Sequence, residues 1–192
     1  TPRDDRLGIE GRVERGRSPH DEFRATLLDN AYHQDSVGVV GHWIATGHST
    51  VDGRVDWVRR DYDQRSTRDF SGATFRAAHT WTPTGKVTVV SSIYRDLGPV
   101  VDVQSGSFVL VKGVAVKPSW AATDKLTLGG DAEYNIWEYR GDPIGGDFTH
   151  HVRTFGLNLT YQATPKIQLQ GGYLHEMRTS TAALADYKDD VV

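Results

Sequence analysis

The 192-residue sequence contains no cysteine, a single methionine and a formal net charge of only −3. Without cysteine there is no disulfide, no cysteine-bound zinc and no thiol nucleophile. Without a basic excess, the chain is a poor candidate for wrapping nucleic acid, because phosphate binding needs clustered Lys and Arg. The sequence also lacks any run of 18 apolar residues, which excludes a membrane-spanning helix. A soluble enzyme, a soluble β domain and an outer-membrane barrel remain.

A four-copy repeat organises the chain. Each copy reads aromatic, two residues, Thr, a turn residue and a basic residue, and the aromatic positions are 38, 39 and 41 residues apart. The copies are Trp43 to His48, Trp81 to Lys86, Trp120 to Lys125 and Tyr161 to Lys166. A period of about 40 residues indicates one structural unit per copy.

Between the repeat copies, apolar and polar residues alternate with a period of two, which predicts β-strands with one apolar face. Val55 and Trp57, for example, are separated by Asp56. The sixth predicted strand is apolar on both faces, so its orientation stays open. The nine predicted strands lie near 6–16, 36–45, 49–60, 72–82, 86–95, 106–118, 125–137, 150–161 and 166–177.

Short and long connections alternate along the chain. The repeat turns are short, whereas the other connections are long, polar and rich in turn formers such as those at 141–146. The long connections are predicted at 17–35, 61–71, 96–105, 138–149 and 178–190. This asymmetry is typical of outer-membrane barrels, whose periplasmic turns are short and whose extracellular loops are long.

Strand length and aromatic placement favour a membrane barrel over a soluble sandwich. The predicted strands run to about 10–13 residues, close to the 9–11 that cross a bilayer and longer than sandwich strands. One aromatic per repeat lies at the same strand end, where an interfacial girdle is expected; the alternative is a core plug at each hairpin end. The predicted membrane-interface aromatics are Trp43, Trp81, Trp120 and Tyr161.

We therefore expect an all-β fold, an up-and-down antiparallel transmembrane β-barrel with nine to ten visible strands. Such barrels usually have an even number of strands, and Val191 and Val192 read as the start of a tenth. We expect one domain over 1–192 that forms part of a larger barrel. We expect this domain to be cut at its C-terminus, and missing strands before Thr1 are an open alternative.

Three segments carry a family resemblance: Arg68 to Gly72, Trp81 to Lys86 with the strand after it, and Tyr161 to Lys166 with the ending Asp186 to Val192. They resemble the outer-membrane β-barrel proteins of bacterial exopolysaccharide biosynthesis operons, from about Val51 onward. The resemblance implies a bacterial outer-membrane location and polysaccharide export. It implies no catalytic motif, and the family's final strand with its terminal aromatic is absent from this sequence.

No catalytic, cofactor or metal motif stands out. His150, His151 and His175 lack a defined ligand spacing, so no metal site is predicted. The acidic residues of the predicted outer loops could hold Ca²⁺ or meet lipopolysaccharide through bridging cations, although solvated loops are the simpler interpretation; they are Asp61, Asp63, Asp186, Asp189 and Asp190. No nucleophile elbow, phosphate loop or dinucleotide fingerprint occurs, so we expect no enzyme and no cofactor.

The polar side of the strands supplies the candidate pore lining. It mixes both charge signs with amides, which suits hydrogen bonding to sugar hydroxyls but equally suits a wall of salt bridges. The predicted pore-lining residues are Arg12, Glu14, Arg54, Asp56, Arg60, Arg76, Asp131, Glu133, Asn135, Asn158, Gln170 and Glu176. Glu10, Asp52 and Gln168 fall on the same side.

Three functions remain open at this stage: a conduit for exopolysaccharide, a scaffolding barrel of a secretion assembly, and a general diffusion porin. The porin alternative is weaker because no large constriction loop is evident. The expected partners are outer-membrane lipid and lipopolysaccharide, the polysaccharide chain, and periplasmic or inner-membrane components of an export machinery. A strongly cationic lining would indicate an anionic polymer, and this lining is not strongly cationic.

Overall fold

A computed structural model of the chain shows one antiparallel sheet of ten strands. It describes residues 5–17, 31–63, 66, 69–98, 108–140, 147–181 and 186–191. The strands are β1 (Arg6–Arg17), β2 (Ala31–Thr46), β3 (Ser49–Tyr62), β4 (Phe70–Thr84), β5 (Val87–Gly98), β6 (Phe108–Ala121), β7 (Leu126–Arg140), β8 (Phe148–Thr164), β9 (Ile167–Ser180) and β10 (Tyr187–Val191). The described residues form no helix long and apolar enough to cross a membrane.

Strand order in the sheet follows the sequence from β1 to β10, and every pair is antiparallel. The predicted all-β, up-and-down fold is thus confirmed. Within the described residues β1 and β10 are the two sheet edges and do not pair with each other. The sheet is consequently open, and each inner strand is bonded to its two neighbours in sequence.

The threonine of each repeat copy shapes the short turn after it. The Thr84 hydroxyl oxygen accepts hydrogen bonds from the backbone N–H groups of Lys86, at 3.3 Å, and Val87, at 3.1 Å. Thr46, Thr123 and Thr164 accept the same bond from the residue two positions later. Hydroxyl-to-backbone bonds of this kind stabilise tight turns, which explains why the repeat keeps a threonine there.

Successive repeat copies are also bonded to one another. The backbone N–H of Thr82, directly after the repeat tryptophan, donates to the carbonyl oxygen of His48 at 2.8 Å. The same bond joins Ala121 to Lys86 and Gln162 to Lys125, again at 2.8 Å. The short turns therefore form one continuous rim at one end of the sheet.

The largest errors in the predicted strand boundaries are at β2 and β10; most other strands extend two or three residues beyond their predicted ends, which moves Asp96 from a predicted long connection into β5. β2 begins at Ala31 rather than near 36, because Tyr32 and its neighbours continue the pairing with β3. The tenth strand begins at Tyr187 rather than Val191, and Val192 lies outside the described residues. Backbone pairing with β9 makes this segment a strand, although its polar sequence lacks the apolar alternation of a strand.

The orientation of the sheet in a membrane is tested by cysteine labelling, since the chain has no cysteine of its own. Asp63 lies beyond the end of β3 among the long connections, whereas Gly85 lies in the turn between β4 and β5. A membrane-impermeant maleimide should label an Asp63→Cys variant on intact cells and a Gly85→Cys variant only after lysis. This expectation places the long connections at the cell surface and the short turns in the periplasm; the opposite labelling pattern would reverse that orientation.

Candidate functional site

The two faces of the sheet differ sharply in chemistry. On β3, Val55 is 58% and Trp57 56% exposed, and between them Asp56 is only 7% exposed. We call the face that carries Asp56 the polar face and the opposite one the apolar face. Leu157, 68% exposed, and Phe155, 50% exposed, continue the apolar face on β8. Such exposure of large apolar side chains marks a surface that meets lipid or another protein.

All the predicted pore-lining residues occupy positions of the polar face. Side chains alternate between the two faces along each strand, and residues paired across neighbouring strands lie on the same face. These two rules place the predicted residues on the polar face. Glu14 lies in β1 opposite Gln34. The structure brings most of the others into pairs or small networks, and Arg12 and Gln34 lie along one groove with Arg54.

The most buried charge of the polar face is held by an arginine. Arg54 Nε contacts Asp56 Oδ2 at 2.5 Å, and its Nη2 donates to Asp56 Oδ1 at 2.8 Å. Arg54 Nη1 also reaches Glu10 Oε2 on β1 at 2.9 Å. A two-bond contact between guanidinium and carboxylate is among the stronger polar contacts in proteins, so this network ties β1 to β3.

A second network crosses from β4 to β7. The Tyr94 hydroxyl lies 2.5 Å from Glu133 Oε1 and 2.6 Å from Asn135 Oδ1, and the Asn135 amide donates to Glu133 at 2.7 Å. Arg76 pairs with Asp96 at 2.6 Å and its guanidinium lies 4.9 Å from the Tyr94 ring centroid. Hydroxyl, amide and both charge signs are thus within a few ångströms of one another.

Smaller contacts extend the lining on both sides. Lys117 Nζ pairs with Asp131 at 3.0 Å, and Arg60 Nε donates to the side-chain oxygen Oε1 of Gln34 at 2.8 Å. Near β10, Glu176 accepts hydrogen bonds from Thr154, at 3.4 Å, and from the Tyr187 hydroxyl. The polar face therefore offers both donors and acceptors along its whole width.

Three glycines make room for these polar side chains. A Cβ at Gly38 would lie 2.1 Å from Asp56 Oδ1, and one at Gly129 would lie 2.3 Å from Asn158 Oδ1. A Cβ at Gly113 would lie 2.2 Å from Asn135 Oδ1 and 2.5 Å from Tyr94 Cζ. Each of these glycines lets a neighbouring strand's side chain lie flat across the sheet.

Sequence reasoning missed Tyr94, Asp96 and Lys117 as members of these networks. Tyr94 follows a stretch, Val89 to Ser92, in which apolar and polar residues do not alternate, and Lys117 stands in the strand that is apolar on both sides. Gly113 shares the polar face with Tyr94, yet Leu110, three residues away, packs with Val58 of that same face. Alternation along β6 is therefore not uniform, which explains why its orientation stayed open.

The four repeat aromatics form a row on the apolar face beside the short turns. Their exposed fractions are 53% for Trp43, 47% for Trp81, 49% for Trp120 and 41% for Tyr161. None is a buried core plug. Their proposed role at the membrane interface stays a prediction.

The histidines do not converge. His150 and His151 are consecutive in β8 and so point to opposite faces. His151 Nδ1 lies 2.7 Å from the Tyr134 hydroxyl, and His175 Nδ1 lies 2.5 Å from Asp190 Oδ1. Among the residues that the structure describes, no three His, Asp or Glu side chains form a metal-binding group.

The predicted acidic loop residues do not share one environment. Asp61 was wrongly placed in a loop, since it lies within β3 and pairs with Arg59 at 2.9 Å. Asp186 accepts a hydrogen bond from the backbone N–H of Ser180 at 2.6 Å. Asp189 and Asp190 were wrongly placed in a loop, since both belong to β10 and pair with β9. Asp63 alone stays in an exposed bend.

A long-stranded meander with one polar face and one exposed apolar face is the architecture of outer-membrane β-barrels. The chain belongs to the family described as "Putative beta-barrel porin 2", whose profile matches residues 20–192. The crystal structure of the siderophore receptor PiuA from Acinetobacter baumannii is similar in fold, with a TM-score of 0.59 and 16% sequence identity. The match covers 84% of this chain but only 28% of the receptor. No curated protein matches the chain.

Proposed function

We propose that this outer-membrane barrel protein is a conduit for exopolysaccharide, with the polar face as the wall along which the polymer moves. The observation that carries the proposal is the mixture of paired charges, amides and hydroxyls on that face. Sugar hydroxyls both donate and accept hydrogen bonds, so each group of the lining can contact them. The proposed role is non-catalytic and needs neither metal nor cofactor.

Transport also requires that binding be weak and repeated, because a tightly held polymer would not move on. Charges already satisfied by a partner bind a passing hydroxyl less strongly than free charges would. Arg54 with Asp56 and Lys117 with Asp131 are such pairs. Because the signs balance within these pairs, the wall suits a neutral or weakly charged polymer better than a polyanion. The proposed partners of the barrel are the lipopolysaccharide around it and the components of an export machinery.

The same pairs favour a second candidate, a scaffolding barrel of a secretion assembly. Cross-strand contacts such as Arg54 with Glu10, and Tyr94 with Glu133, would stiffen the wall whether or not a polymer passes. The two functions predict different results when whole charge pairs are neutralised: a conduit should lose export, whereas a scaffold should keep it.

The test of the conduit removes two charge pairs together. The variant carries Arg54→Gln, Asp56→Asn, Lys117→Gln and Asp131→Asn, so that both members of each pair lose their charge together. Glu10, the second partner of Arg54, keeps its charge but is exposed to solvent. We expect normal insertion with a severalfold loss of secreted polysaccharide, because lumen substitutions change selectivity more than stability. Insertion is measured by heat-modifiable gel mobility, and export by the sugar content of the culture medium in a complemented deletion strain.

The matched control is the Arg59→Gln, Asp61→Asn variant, which neutralises a pair on the apolar face of the same strand. It should leave export unchanged. Unchanged export in the inserted four-site variant would contradict the conduit and support the scaffold. An equal loss in the control would show that export responds to general damage rather than to the lining.

A further inference from the structure

Aromatic rings gather on the polar face at the end that carries the long connections. Tyr139 and Phe148 are stacked with centroids 4.5 Å apart and planes 12° apart, and His150 lies 5.0 Å from Tyr139. Across the sheet, Tyr32 and Tyr62 lie 5.5 Å apart on β2 and β3. We name this set the aromatic collar; it comprises Tyr32, Tyr62, Trp137, Tyr139, Phe148, His150 and Tyr187.

Two arginines accompany the collar. The Arg60 guanidinium lies 4.5 Å from the Tyr32 ring centroid, and the Arg178 guanidinium lies 4.3 Å from that of Tyr187. A guanidinium stacked on an aromatic ring carries its N–H donors at its edge, and one of these, Arg60 Nε, donates to the side-chain oxygen of Gln34. The collar therefore combines flat apolar surfaces with donors at their margins.

Two buried polar atoms of the collar have no hydrogen-bond partner among the described residues. They are Trp137 Nε1 and His150 Nδ1, on residues that face each other across β7 and β8. His150 is only 6% exposed. A buried group without a partner is costly. A ligand hydroxyl placed against these atoms would supply the missing partner.

The collar contrasts with the usual lining of a barrel, which is polar. Most of the collar rings are partly exposed, and burying the rest of an apolar surface is favourable, so an occupant with apolar faces would stabilise them. Pyranose rings present faces of C–H groups and a rim of hydroxyls. The negative faces of aromatic rings attract such C–H groups, and the arginines and unpaired nitrogens match the hydroxyl rim.

We propose that the aromatic collar is a sugar-stacking site at the long-connection end of the barrel, where it holds consecutive pyranose rings of a neutral polysaccharide. This inference rests on the proposed conduit and names the place and chemical class of its binding step. In this arrangement the polymer stacks at the collar and hydrogen-bonds to the charge pairs further along the polar face.

Tryptophan fluorescence provides a direct readout. Of the five tryptophans, Trp43, Trp57, Trp81 and Trp120 lie on the apolar face, and Trp137 lies on the polar face. Cellohexaose added to the full chain in lipid vesicles should change the emission in a saturable way, while glucose should do so only weakly. The change should disappear in a Trp137→Phe variant, which keeps an aromatic ring at the site.

Affinity is then compared between matched leucine variants of β8. Phe148→Leu removes a collar ring but keeps an apolar side chain, and should weaken cellohexaose binding about three- to tenfold, the effect expected of one aromatic stack. Phe155→Leu, on the apolar face of the same strand, should bind as the parent protein does.

The outcomes separate this inference from the conduit. Equal affinity in the two leucine variants, or no emission change with cellohexaose, overturns the collar even if the charge-pair variant loses export. Binding at Trp137 that is weakened by Phe148→Leu supports the collar even if export survives neutralisation of the pairs. A third outcome is that cellohexaose changes the Trp137 emission only after a protease has cut the long connections. That result overturns the collar as a sugar-binding site, because the long connections would then cover its rings in the intact protein.

Discussion

Replacing Leu157 with Arg is expected to lower the free energy of unfolding by about 2–4 kcal/mol. Leu157 is 68% exposed on the apolar face and pairs in register with Gly130 and Tyr173. In a barrel this position faces lipid, and a guanidinium cannot keep its hydration there. Urea-dependent folding into vesicles, followed by heat-modifiable gel mobility, measures the change.

The matched control is Gln170→Arg, on the polar face of the neighbouring strand β9. A cation there stays in the aqueous interior, so its effect should be within about 0.5 kcal/mol, as for ordinary surface substitutions. Equal losses at the two positions would contradict the membrane barrel, because they would mean that both faces of the sheet are buried in protein.

Replacing Gly113 with Val is expected to lower the free energy of unfolding by about 3 kcal/mol, from overpacking and lost hydrogen bonds. The new Cβ would stand 2.2 Å from Asn135 Oδ1 and 2.5 Å from Tyr94 Cζ. These two side chains hold Glu133, so the substitution should also disrupt the network across β5, β6 and β7. The same folding assay measures the loss.

Gly53→Val is the control for that experiment. A Cβ at Gly53 meets nothing within 4 Å, and the position lies on the apolar face of β3. Valine there should be neutral or slightly stabilising, because glycine weakens a strand. If Gly53→Val were as damaging as Gly113→Val, the cause would be the loss of glycine itself and not the crowding of Tyr94 and Asn135.

The strands and their two faces could be predicted from the sequence because alternation of period two is a local property. Val55, Asp56 and Trp57 suffice to orient β3, and the register then carries the assignment to its neighbours. The short turns could be predicted for the same reason, since each repeat threonine acts on the residues immediately after it.

Features that depend on a neighbouring strand could not be predicted in this way. Tyr187 to Val191 becomes a strand through backbone pairing with β9, against a polar sequence. Lys117 and Tyr94 join the candidate site through partners far along the chain, Asp131 and Glu133. The predicted up-and-down order names the neighbouring strand but not the register, which decides which side chains lie opposite one another.

Each described strand pairs only with its neighbours in sequence. This topology affects how the sheet folds and how the number of its strands can change in evolution. Contacts between neighbouring hairpins close short loops, so folding can advance hairpin by hairpin with little entropy lost at each step. Each repeat copy is bonded to the next through its turn, as His48 is to Thr82. A gene that gains or loses one unit of about 40 residues would change the circumference of the barrel by two strands. The separation of its two faces would be preserved.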